Sequence, residues 1–84
     1  MGLKRVYSES EVNELIEWFA QRKDRLPETM QLNKATYLED VARTVNAFCT
    51  LARESRKKST FSAQLKILFD IREKLENDNL IKPE

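Results

Sequence analysis

The chain has 84 residues, fifteen Lys and Arg against fourteen Asp and Glu, no His, one Cys and one Gly. That length is one domain, 1–84, with a single core and a modest stability of roughly 4–13 kcal/mol. The near-zero net charge argues against a general polyanion binder, whose affinity comes from neutralised phosphates, and the missing His removes the commonest general base and metal ligand.

One Gly and two Pro are too few turn formers for an all-β protein, so the composition favours helices. No stretch reaches the length of a membrane span. The opening residues 1–6 are not followed by the apolar run of a secretory signal, and Val6 stands where a myristoylation motif needs Ser or Thr. A lone cysteine fits a reducing compartment, so the expected location is the cytoplasm.

The first predicted helix runs from about 9 to 24. Ser8 is its natural N-cap and Glu11 completes a capping box, with Tyr7 and Val12 at the two positions of a hydrophobic staple. Val12, Leu15, Ile16 and Phe19 follow the spacing of one helical face. Leu26-Pro27 ends it, because proline disfavours helical geometry in the residue before it. The connector from Arg25 to Thr36 is irregular. Met30 and Leu32 alternate with polar neighbours, which predicts a partly extended segment that packs over the helices, with too little chain for a sheet.

The second predicted helix runs from about 37 to 54. Thr36 and Glu39 make another capping-box pattern, with Asn33 as an earlier possible start. Leu38, Val41, Val45, Phe48 and Ala52 form its stripe, and Glu39 pairs with Arg43 at i, i+4. A polar linker, 55–59, leads to a third helix at about 61–78, capped by Ser59 or Thr60. Asn77-Asp78-Asn79 stops it, and Leu80 folds back on its last turn. Phe61, Leu65, Leu68 and Leu75 make a stripe bordered by Phe69 on one side and by Ile67 and Ile71 on the other. That arc is about 200° wide, against about 100° for an ordinary surface helix. The third helix therefore sits between the other two or presents a ridge to a second chain.

Chemistry is sparse. Cys49 lies on an apolar face with no His to activate it, so it belongs to the core. One Cys and no His make no zinc site, and there is no calcium loop or Gly-rich phosphate loop. Glu11, Glu14 and Glu17 are the solvated face of a helix. No catalytic, cofactor or metal residue is expected, and no small-molecule ligand. Arg53, Arg56, Lys57 and Lys58, with Lys66 beyond, form a basic turn that could contact nucleic acid. Its connectors are longer than those of a helix-turn-helix, and no aromatic is interleaved for base stacking. Trp18 lies at the edge of the first apolar face, either packed on Leu26 and Pro27 or free to anchor a partner. Arg72 falls inside the apolar stripe of the third helix, where it snorkels at the helix edge or reaches a carboxylate from the first helix or a second chain.

The pattern Trp18-Phe19, Leu26-Pro27, Gln31-Leu32, Asp40-Val41 and Phe48 resembles a family of short bacterial helical proteins of unknown function. The resemblance covers about residues 10–75, implies a small helical bundle, and brings no catalytic or cofactor residue with it.

These observations predict an all-α, three-helix bundle with an ordered, partly extended connector between helices 1 and 2. The expected function is a non-enzymatic protein–protein interaction module that self-associates, as a homodimer, through Trp18, Ile67, Ile71 and Arg72. The alternative is a DNA- or RNA-binding regulator using the basic turn.

Overall fold

The structure, a computed structural model, describes residues 7–54 and 61–83. The elements in chain order are helix α1 (Glu9–Ala20), a 3-10 turn (Lys23–Arg25), strand β1 (Thr29–Gln31), strand β2 (Tyr37–Glu39), helix α2 (Val41–Glu54) and helix α3 (Ser62–Asn77).

α1 begins as its sequence dictates. The Ser8 hydroxyl accepts the Glu11 amide at 3.1 Å, and the Ser8 amide donates to the Glu11 carboxylate at 3.2 Å. Tyr7 and Val12 are both buried in the core. The helix ends at Ala20, earlier than the expected Asp24, and the chain tightens into the 3-10 turn. Leu26 is then extended (φ −76°, ψ 145°), as the following Pro27 requires, and its side chain is buried.

The expectation of a pure all-α bundle is wrong. β1 and β2 pair antiparallel, with Thr29 opposite Glu39, Met30 opposite Leu38 and Gln31 opposite Tyr37. The fold is α+β, three helices and a two-stranded sheet. The inner face of the hairpin carries Met30, buried, and Leu38, packed against the core. A two-stranded ribbon is marginal alone, and these two side chains tie it to the helices.

Residues Tyr37–Glu39, expected as the first turn of the second helix, are therefore a strand. Asn33, expected as a possible helix start, builds the hairpin turn instead. Its Oδ1 accepts the amides of Ala35 (2.8 Å) and Thr36 (2.9 Å), and the Leu32 amide donates to the Thr36 carbonyl at 2.9 Å. The true cap of α2 is Asp40, whose Oδ1 accepts the Arg43 amide at 3.2 Å. Asp40 has φ 51°, a left-handed backbone that Asp tolerates better than most residues. The Val41 amide donates to the Glu28 carbonyl at 3.1 Å, stitching the helix start to the hairpin. With Glu39 in a strand, the expected helical Glu39–Arg43 pair does not exist as drawn.

The expected caps Ser59 and Thr60 and the linker 55–59 lie outside the described residues. The other end of α3 follows the sequence closely. Asn79 is left-handed (φ 54°), its amide donates to Glu76, and the Leu80 amide donates to the Leu75 carbonyl at 3.0 Å. Those are the two bonds of a Schellman stop. Leu80 packs on the core as expected.

The wide apolar arc of α3 is taken up internally. Leu65, Leu68, Ile71 and Leu75 are at most 1% exposed, and α3 packs on both α1 and α2. Phe69 is covered by Tyr7, the two rings stacked with centroids 5.0 Å apart. Among the described residues no helix is long and apolar enough to cross a membrane.

Candidate interaction edge at Trp18

Trp18 and Phe19 are consecutive on α1, so their side chains diverge by about 100°. Phe19 enters the core and Trp18 stays half-buried at its edge. The indole meets the Phe19 ring edge-on, centroids 5.0 Å apart at 88°. Two guanidinium groups sit over it, Arg22 at 4.4 Å and Arg72 at 5.1 Å from the ring centroid. Each such contact contributes about 0.5–1 kcal/mol at an exposed site.

Arg22 comes from the turn that ends α1, and its Nη1 also donates to the Trp18 carbonyl at 3.1 Å. That bond fills one of the orphan acceptors at the helix end. Arg72 comes from α3 and donates through Nε to the Glu76 carboxylate at 3.3 Å. The carboxylate it reaches is on its own helix, not on the first helix as expected, and what it meets on the first helix is the Trp18 ring. Sequence reasoning singled out Trp18 and Arg72 but missed Arg22. The signal was present, since Arg22 follows Trp18 by four residues, the spacing of helical neighbours.

The other residues expected at an interface divide. Ile67 is half-buried and packs against the core. Ile71 is 0% exposed and cannot contact a partner, which corrects the expected ridge. It belongs to the core cluster of an α3 that packs on both α1 and α2.

The basic set does not come together in what is described. Arg53 lines a cleft between α1 and α2. Lys66 lines a different groove, beside Tyr7 and Phe69, and is bonded to Asp70 at 3.0 Å. That bond, more than the charge itself, raises the Lys66 pKa. Arg56, Lys57 and Lys58 lie outside the described residues.

Cys49 is a buried free thiol. Burial raises its pKa above the ordinary 9.0, opposed by the nearby Arg53 charge. The thiol is therefore held protonated, the wrong state for a nucleophile. Glu11 serves the α1 cap, and Glu14 and Glu17 are exposed. Among the described residues no three acidic or thiol side chains are grouped to hold a metal ion.

Fold and edge together define a small α+β domain, three helices with a hairpin, whose most distinctive surface feature is a tryptophan under two guanidinium groups. The chain belongs to a family described as a domain of unknown function (DUF6965), which matches residues 10–77. No curated protein and no solved structure matches it.

Proposed function

We propose that the protein is a non-enzymatic protein–protein interaction module of the bacterial cytoplasm that self-associates as a homodimer through the Trp18 edge. One observation carries this. Trp18 lies at the surface with Glu14 four residues before it and Arg22 four residues after it, Glu14 exposed and Arg22 stacked on the ring. A two-fold axis through Trp18 brings Glu14 of one chain against Arg22 of its partner, twice, so the edge is self-complementary as an isologous contact requires. Trp and Arg are the residue types that dominate binding energy at interfaces. The buried, protonated Cys49 thiol suits a reducing compartment.

Sedimentation equilibrium into the high micromolar range tests the proposal. The expected result is a mass rising with concentration from one chain toward two, with Trp18→Ala and Arg22→Glu both monomeric. Restoration of the dimer by the pair Glu14→Arg with Arg22→Glu is also expected. A wild-type protein that stays monomeric throughout overturns the homodimer.

A further inference from the structure

The opposite flank of α1 carries a second surface. Between α1 and α2 runs an open cleft of about 210 Å³. Its floor is apolar, formed by Ile16, Phe19, Val45 and the Cys49 thiol, each at most 6% exposed. It stays open because the side chains at its rim are small, Ala20 on α1 and Ala42 on α2, both exposed. Lys23 and Arg53 also line it, and no acidic residue does. Among the described residues neither Lys23 nor Arg53 is held in an ion pair. Like charge beside an apolar trough that no acid lines is a pattern that complements an acidic partner.

Volume decides between kinds of occupant. Small-molecule sites run to about 300–1,000 Å³ and enclose most of the ligand. This cleft is smaller and open, the size for one large side chain delivered by a chain that continues outside. We propose that the α1/α2 cleft docks an acidic peptide segment of another protein, one Phe or Leu seated on the Phe19–Val45 floor and flanking carboxylates paired with Lys23 and Arg53. The surface extends the interaction function without depending on the Trp18 edge, which faces away from it on α1.

The test is amide chemical-shift mapping on the intact chain. The probe is the peptide acetyl-Glu-Asp-Phe-Leu-Asp-Glu-amide, compared with its counterpart in which every acid is Lys. Saturable shifts centred on Ala20, Ala42, Asn46 and Cys49 are expected with the acidic peptide alone. Affinity should fall about tenfold or more in the Lys23→Glu, Arg53→Glu double variant and in Ala42→Trp, which fills the trough. All three positions are exposed, so the variants keep dispersed spectra. Equal response to both peptides, shifts centred on Trp18, movement of the cleft amides on concentration alone, or no shift at millimolar peptide each overturns the cleft assignment. A chain that binds the peptide yet never dimerises separates this site from the Trp18 proposal, since the two then stand or fall apart.

Discussion

The two flanks of α1 are built from the same helix and end differently. On one, Trp18 fills the seam toward α3, and Arg22 and Arg72 close over it. On the other, Ala20 and Ala42 leave the seam toward α2 open over an apolar floor. Phe19 separates them, touching the Trp18 ring on one side and lining the cleft on the other. Whether a helix–helix seam is sealed or left as a groove thus turns on the bulk of one or two rim side chains. Charge follows the same division. Arg72 on the sealed flank is shared between a ring and Glu76, whereas Lys23 and Arg53 on the open flank have no carboxylate lining their cleft.

Removing the dividing wall has the largest expected effect. Phe19→Ala should cost about 3–5 kcal/mol, a large part of the stability of a chain this size. Urea denaturation measures it, and Trp18 emission should shift to the red as its edge-on neighbour disappears. A cost under about 1 kcal/mol would mean that the two flanks do not share a wall.

Losing the cap of α2 comes next. Asp40→Ala removes the bond to the Arg43 amide and leaves a left-handed residue that Ala adopts poorly, for a combined loss of about 1–2 kcal/mol. Asp40→Asn should lose much less, because Asn keeps both the acceptor and the tolerance of positive φ. Thermal unfolding of the pair distinguishes a capped hairpin–helix joint from a helix that starts earlier.

The sealed flank is sharpened by a double-mutant cycle on Trp18→Leu and Arg72→Met. The coupling energy should be about 0.5–1 kcal/mol, and it should persist at high salt better than a surface ion pair does. Additivity within error would show that the stacked guanidinium contributes nothing.

The open flank gives the smallest effect, and it depends on pH. The folded Cys49 pKa is raised above its ordinary 9.0. Its contribution is therefore complete below about pH 9 and lost as pH rises toward the folded value, because the unfolded thiol ionises first. Wild type should lose a small increment of stability above pH 9 that Cys49→Ala does not, measured by urea midpoints at pH 7, 9 and 10. Parallel pH profiles would place the thiol in contact with solvent.

Much of this was legible locally. The Ser8–Glu11 capping box, the extended Leu26 before Pro27, and the Asn79–Leu80 stop each depend on residues within five positions of one another, and each formed as read. Asn33 was misread for a physical reason. A helix cap and a hairpin turn use the same bonds, a side-chain oxygen accepting amides two and three residues ahead. Thr36 and Glu39 imitated a capping box in the same way. Only the pairing of Met30 with Leu38 decides between the two, and that contact gains its strength from the core beneath it. Ile71 was misplaced because helical periodicity gives the width of an apolar face and not the number of neighbours covering it.

By itself the sequence determined three amphipathic helices, the cap that starts the first, the stop that ends the third, and a composition without His and with a single Gly and a single Cys. Those properties are local or compositional, fixed by hydrogen bonds and side-chain spacing within a few residues. The tertiary structure decided that the connector is a hairpin, that α3 is centred on α1 and α2, and that one flank of α1 is sealed while the other is open. Each of those depends on residues far apart in the chain meeting across a core, and a list of neighbours along the chain does not contain that information.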